Sequence, residues 1–532
     1  MGRTSKRIAS FILNNRNKIG EGIYLLYFAL MIGARAYGLY EGMAVYNATL
    51  VVGMLLFLTK MVVTEHSFKE YIIVLASLLV AGIVYLHTGE KGLLVCFTML
   101  LGMKCVSVKK TIETGIMVAG TIIFVKLFLG VFGLASEIYY PQERAGIGLL
   151  FRHSLGYAHP NTLHMNVLML SMLVVYLFTV LLKDKNKNNT ILLVALSFII
   201  FLFNLYVFQY SGSRTGVLAC VAYLVVNFWL HVRKELGLFE KIIAYMSFPL
   251  VCFVAIVLPF LVSGKVFDLL NATVFHSRFG LAKYFWSNNG VSLWGIRLSS
   301  PDPTLEHYGI DMAQLYLFLQ LGIVAFLLIS ILTIWFIYEC FKHDRRAELA
   351  VLMGMLFLGM WEPLLYNLGF KNFVYVFMGA MLYGCLSNDY RYFEEGQFRF
   401  FDVIGKIQVK QVLRILSLSI VASFIVTVCY MMISNKPSAL YGDREQGESG
   451  NSFGMEALYL SEAQVDALAA EGDIIIGYVD ESVPMYRYDE EIALMEYNKR
   501  VISIGVWSGL LVVIICTSPK VRRFVFDETR YK

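Results

Sequence analysis

Charge is scarce in this chain. Only 16% of its residues are Asp, Glu, Lys or Arg, where a soluble domain carries about a quarter. Hydrophobic residues make up 58%, and the mean hydropathy is +0.64. That balance excludes a soluble globular protein and a disordered one. Metal-ligand spacing is also missing. The cysteines Cys96, Cys105, Cys220, Cys252, Cys340, Cys385, Cys429 and Cys516 lie in apolar runs or at their ends, so neither a structural zinc nor a disulfide is expected. No GxGxxG loop or P-loop occurs, and nucleotide energy is not indicated. There is no internal repeat and no low-complexity tract. The net charge of +6 is too modest to indicate nucleic-acid binding. The first apolar run lacks a small-residue cleavage site and is followed at once by a second run, so no cleavable signal peptide is expected.

What the chain does hold is apolar runs long enough to cross ~30 Å of hydrocarbon. Hydropathy marks about fourteen, near 19–38, 43–61, 70–86, 92–107, 113–134, 162–182, 190–210, 215–231, 242–263, 312–338, 348–366, 370–386, 412–433 and 501–517. The expected fold class is therefore an all-α polytopic integral membrane protein with about 14 transmembrane helices. Aromatic content of 14%, with 32 Tyr, fits interfacial belts. Basic residues fall in alternate loops: Arg3 to Lys18, then Lys60 and Lys69, Lys104 to Lys110, Lys183 to Lys187, Arg233 to Lys241, Lys342 to Arg346, Arg391 to Lys410, and Lys520 to Arg523. With fourteen spans all of these share one side, which predicts cytoplasmic N and C termini.

Three loops on the opposite side are long: 135–161, 262–311 and 434–500. The second carries Phe275, Phe279, Tyr284, Phe285 and Trp286, and reads as a short amphipathic helix on the outer face, against the bilayer surface or the neighbouring spans. The third is acidic and reads as a small extracytoplasmic α/β subdomain, with a helix opening at Ser461 and a strand over 473–479. It lacks EF-hand spacing, and its carboxylates read as a solvated surface. The domain reading is thus a transmembrane core over 1–433, the subdomain over 434–500, and a last helix with a basic tail over 501–532.

Ionisable residues on the outer side gather beside helix ends. Two runs, 162–182 and 191–209, take the chain across and back around a lysine turn, so Arg152 and Arg214 should face the same side, where positive charge is not the rule. Arg214 stands in Ser211-Gly-Ser-Arg-Thr-Gly216, at the head of a helix whose first N–H groups point outward. A guanidinium beside a helix N-terminus suits a phosphate, although an interfacial arginine can also snorkel to headgroups. His159-Pro160-Asn161 is a stop-and-cap arrangement, and Asn161 is expected to cap the next helix. His159 is either a ligand group or a satisfied interface histidine; His153 has nothing to raise it. Lys126 either snorkels or joins an anionic lipid site. His307 and Asp311 share a face if the following helix begins early, and one of them can serve as a general base. Asp311 equally suits a cap at Met312.

Arg152-His-Ser-Leu-Gly-Tyr-Ala-His-Pro-Asn161 resembles the arginine-to-HPN motif of bacterial oligosaccharide repeat-unit polymerases of the Wzy type. Ser211 to Gly216 resembles the Ser-Arg turn they share with O-antigen ligases. Ser277-Arg278, then Trp286, then Leu293-Trp294-Gly295 is similar to the family's arginine, tryptophan and glycine loop. Asp311 to Gly322-Ile323 resembles its acidic or histidine residue followed by a Tyr-rich helix ending in Gly-Ile. The resemblance covers about 144–335 in the family's order. The usual Asn after the acidic residue is Met312 here, and the ligases' catalytic histidine has no unambiguous counterpart, so His307 and Asp311 both stay candidates.

The resemblance implies a GT-C-like, inverting, metal-independent glycosyltransferase without a cofactor. It implies activity at the outer face of the bacterial cytoplasmic membrane, on undecaprenyl-diphosphate-linked oligosaccharides. Arg152, Arg214, His307 and Asp311 are then the catalytic candidates; Arg144, His159, Asn161, Ser213, Arg278 and Trp286 are the substrate-binding ones. Implied partners are membrane lipid, a chain-length regulator and a flippase, with no nucleic acid. Alternatives are a ligase passing glycan to another acceptor, and a lipid-linked oligosaccharide transporter. A transporter predicts midplane charges and repeat symmetry; here the unusual charges gather at one face.

Overall fold

The structure, a computed structural model, describes residues 3–40, 42–135, 139–144, 148–182, 187–305, 308–367, 371–394, 409–434, 440–443, 457–458, 485–488 and 490–517. Helices come first: α1 (Arg3–Tyr37), α2 (Ala44–Val63), α3 (Phe68–Thr88), α4 (Gly92–Leu101) and α5 (Val108–Val131). A hairpin of β1 (Tyr139–Arg144) and β2 (Gly148–His153) follows. Then come α6 (Pro160–Leu181), α7 (Lys187–Ser211), α8 (Arg214–Val232) and α9 (Leu238–Leu261), the last with a π-turn over Phe253–Val257. Next are α10 (Gly264–Leu269), α11 (Arg278–Asn288), α12 (Ile323–Lys342), α13 (Arg346–Leu358) and α14 (Val374–Ser387). The described chain closes with α15 (Val409–Ile433), strands β3 (Leu440–Asp443), β4 (Ala457–Leu458) and β5 (Met485–Tyr488), and α16 (Glu490–Thr517). Eleven helices among the described residues are long and apolar enough to cross a bilayer. This is a multi-pass, predominantly helical membrane protein.

The other three apolar runs form shorter helices: α4 with 10 residues, α13 with 13 and α14 with 14. The run expected over 312–338 is also broken. Gly322 takes φ 91°, which no residue inside an α-helix adopts, and α12 starts only after it. The last helix departs in the other direction. It starts at Glu490, inside the segment read as an outer subdomain, so residues 490–500 belong to α16. Of that subdomain the described part is a three-stranded antiparallel sheet in the order β4-β3-β5. The expected helix from Ser461 and the strand over 473–479 lie outside the described residues.

The chain divides into two compact units, each taken by itself. The first comprises Met1–Ile123, Met165–Leu205 and Arg214–Phe398. Within it, side-chain bonds fix where the short helices end. α3 opens with a capping box between Ser67 and Glu70 and ends near Gly89. Lys104, just past α4, pairs with Glu70, and its carbonyl accepts from Lys60 Nζ at 2.7 Å. The chain therefore leaves the end of α3 and is back beside its start within residues 92–104. α13 behaves similarly. Arg346 at its head donates to the Arg233 carbonyl beyond α8, while Gly359 at its tail accepts from Ala313 N at 2.8 Å. Beyond the end of α14, the Tyr390 ring lies 4.0 Å from the His343 ring, just past α12.

The second unit comprises Phe124–His164, Tyr206–Ser213 and Arg399–Lys532. Here α16 packs on α15 through small residues: Ser423 Oγ donates to Gly505 O at 2.7 Å and Ser419 Oγ to Gly509 O at 2.9 Å. Another face of α16 carries Glu496, Lys499, Ser503 and Trp507, at helical spacing and all buried. Ser503 Oγ meets Tyr206 and Tyr210, and Trp507 Nε1 donates to Tyr206 Oη at 3.0 Å. Ionisable groups in a membrane-length helix persist only when they are paired, and the partners of this face define the site below.

Candidate functional site

β1 and β2 pair in antiparallel register, with Tyr140 opposite Arg152 and Arg144 opposite Gly148. Alternation along β2 sends Arg152 to one side and its neighbours Phe151 and His153 to the other. Arg152 is well occupied. Its Nε donates to Ser211 O at 2.7 Å, and its Nη2 to Asn161 Oδ1 at 2.6 Å. The arginine-to-HPN stretch and the Ser-Gly-Ser-Arg turn, far apart in sequence, are thus joined by one guanidinium.

Each loop is shaped for this. α6 starts at Pro160, whose missing N–H costs nothing in the first turn. The cap is His159, not Asn161 as expected from the sequence: His159 Nδ1 accepts from Asn161 N at 3.1 Å. Asn161 therefore spends its side-chain oxygen on Arg152. Burial, assisted by the Arg152 cation, pushes His159 down to about 4, so the ring is neutral near pH 7. In the second loop Gly212 takes φ 59° and turns the chain between α7 and α8. Ser211 Oγ meets His164 Nδ1 at 2.9 Å and accepts from Ser213 N at 3.2 Å. Ser154 and Ser213 bury their hydroxyls without a hydrogen-bond partner among the described residues. Arg214, three residues after Ser211, is exposed at the first position of α8. Lys126 Nζ stands 4.1 Å from the centroid of the Tyr157 ring. Arg144 lies in β1.

His153 turns out to be more than the sequence indicated. Its Nε2 lies 2.7 Å from Glu496 Oε2, and both side chains are 3% exposed. Lys499 Nζ bonds Glu496 and donates to Phe151 O at 3.0 Å. Glu496 and Lys499 were missed because hydropathy begins the last span after them. An acid and a base three residues apart at the head of an apolar run are the signal that a helix starts earlier.

The first unit holds the other candidates. His276 and Ser277 both take positive φ, at 45° and 68°, and α11 starts immediately after at Arg278. Arg278 Nε donates to Trp361 O at 2.6 Å and lies 3.4 Å from Asp311 Oδ2; Nη2 is 3.4 Å from Glu362 Oε1. Glu362 is a partner the sequence did not reveal. α11 buries Phe279, Ala282 and Phe285, and the Phe275 and Phe279 rings stack at 4.0 Å. Trp286 packs between Phe260 and Phe318, each at 5.3 Å. The expected outer helix therefore rests its aromatic face on neighbouring segments.

Asp311 does not cap a helix. Met312 occupies the cap position before Ala313 with no side-chain bond. Burial raises the Asp311 carboxyl above its ordinary value while Arg278 opposes the rise. Residues 308–311 are not helical, and His307, expected to share a helical face with Asp311, lies outside the described residues.

Two glycine motifs also meet here. Ile296 N donates to Gln320 O at 3.1 Å, and Ile323 N to Ser292 O at 3.1 Å. A Cβ on Gly322 would stand 2.2 Å from Gly295 N, and one on Gly295 2.2 Å from Gln320 O. The Leu-Trp-Gly and Gly-Ile stretches are two halves of a backbone clasp.

No family model, no curated protein and no solved structure matches this chain.

Proposed function

We propose that this protein is a polysaccharide polymerase, joining undecaprenyl-diphosphate-linked oligosaccharide repeat units at the outer face of a bacterial cytoplasmic membrane. The observation that carries the reading is the position of Arg152, bonded at once to the HPN loop and the Ser-Arg turn. In this reading Arg152 holds the diphosphate and takes up the charge that grows on it as the sugar departs, and Arg214 is the second arginine the resemblance implies for catalysis. The buried hydroxyls of Ser154 and Ser213 retain donor capacity that phosphate oxygens accept. A sugar hydroxyl of the acceptor attacks the anomeric carbon, the bond from that carbon to the diphosphate oxygen breaks, and the hydroxyl proton passes to a base. Asp311 suits that role, since a carboxyl raised by burial is a better proton acceptor than an ordinary one. His307 is the other candidate for the base. Trp286 and its aromatic neighbours offer a surface for the polyprenyl tail or for sugar faces.

The test is purified protein in liposomes with lipid-linked repeat units. Wild-type protein should give a ladder of products. Arg152→Ala and Arg214→Ala should each cut chain lengthening by about 100-fold or more while the protein stays inserted, and Asp311→Asn should lower kcat by about 100-fold or more. Wild-type product that stays at one repeat unit sinks the reading.

A further inference from the structure

We infer that Glu496 and Lys499 of the last helix are positioning residues for Arg152, clamping the β-hairpin from behind so that its guanidinium stays aimed at Asn161 and Ser211. β2 alternates, so residues 151 and 153 face away from Arg152. Both are held by the same turn of α16. Lys499 Nζ donates to the Phe151 carbonyl at 3.0 Å, and Glu496 Oε2 meets His153 Nε2 at 2.7 Å. Lys499 and Glu496 bond each other. The residue before Arg152 is thus fixed through its backbone and the residue after it through its side chain.

The surroundings make the clamp stiff. Glu496 and Lys499 are 5% and 7% exposed, so water does not compete for the bonds. The His153 ring meets Tyr210 edge-on at 5.2 Å, and Tyr210 Oη donates to Lys499 O at 3.2 Å. One turn further along α16, Ser503 holds Tyr206 and Tyr210. A two-stranded hairpin on its own is at best marginally stable. Here a buried ion pair beyond the motif region supplies the rigidity. The last helix, which starts at Glu490 and lies well past the stretch that resembles the polymerases, is by this reading part of the working site.

The clamp itself is tested on the full-length protein by hydrogen exchange. In Glu496→Ala, amides of 148–153 should exchange at least 10-fold faster than in wild type, with α2 and α3 unchanged. Should that variant fail to fold, Lys499→Met is read the same way, and Lys499→Arg should restore protection. Unchanged hairpin exchange in a folded variant overturns the clamp. The functional half rests on the diphosphate reading above, and its probe is undecaprenyl diphosphate itself, binding in detergent. Glu496→Ala and Arg152→Ala should each weaken binding at least 10-fold, and the double variant should be no weaker than Arg152→Ala alone, because both act through one group. Losses that multiply overturn the positioning role. Wild-type protein that does not bind the probe, alongside a loosened hairpin in Glu496→Ala, defeats the diphosphate reading and leaves the clamp standing.

Discussion

Asn161 separates charge from position at the Arg152 site. Its oxygen accepts from Arg152 at 2.6 Å, and Asp in its place keeps an acceptor there while adding a negative charge. If Arg152 acts by holding an anion, Asn161→Asp should leave the fold intact and weaken undecaprenyl diphosphate binding by about 10-fold or more, roughly 1.4 kcal/mol; unchanged binding rejects that role. The neighbouring His159 carries a pH signature. Its folded value is about 4, against about 6.5 for a free imidazole. Between those values the unfolded chain takes up a proton that the folded chain refuses. The stability due to a neutral His159 is therefore complete above about pH 6.5 and is lost as pH falls toward 4. Asn caps a helix without titrating. The thermal midpoint of wild type should fall relative to His159→Asn over that window, and a flat difference rejects the assignment. These residues were legible as a cluster because cations at an unexpected face need an explanation. Their partners were not: the contact from His153 to Glu496 spans 343 positions, and no local pattern encodes it.

Gly322 shows why the elements were harder to bound than to find. Hydropathy sees one apolar run over 312–338, since a glycine scarcely lowers a window average. The backbone sees a residue at φ 91° that must lie against Gly295. The same blindness put the start of α16 after Lys499, because two charges depress the average even where they are paired and buried. The clasp predicts a sharp contrast. Gly322→Ala, held in the native backbone, must adopt a conformation that L side chains rarely take and also place a Cβ 2.2 Å from Gly295 N. The conformational part alone costs about 1–3 kcal/mol, and the overlap adds to it. Gly290→Ala, with nothing within 4 Å of the added carbon, should stay within about 0.5 kcal/mol of wild type. Thermal unfolding in detergent measures both, and equal midpoints for the two variants would show that the clasp does not contribute.

For the whole molecule, the side of the membrane expected for Arg152 turns on a helix of only 10 residues. α5 is the fourth long helix from the N-terminus. If α4 did not carry the chain across, the hairpin after α5 would sit on the same side as Arg3 to Lys18, and no outward-facing arginine site would exist. α4 is about 15 Å long, half the hydrocarbon thickness. A crossing that short is tolerated only where the non-helical remainder is enclosed by protein. The structure meets that condition: of the non-helical residues after α4, Gly102, Met103, Val106 and Ser107 are buried, and Lys104 bonds Glu70 and Lys60 at the far end of α3. The loop charges agree, because an odd number of crossings among α4, α13 and α14 is needed to return both termini to one side. The expected topology is checked with single cysteines in a background lacking all eight native ones, using exposed positions. Ala158→Cys and Asn288→Cys should react with a membrane-impermeant maleimide added to intact cells, and Lys234→Cys only after the membrane is opened. Three long helices, α6 to α8, separate Ala158 from Lys234, so Lys234 reacting in intact cells and Ala158 only after the membrane is opened would mean that α4 turns back within the membrane. The polymerase reading would fall with it, because lipid-linked repeat units are met from the outer face alone.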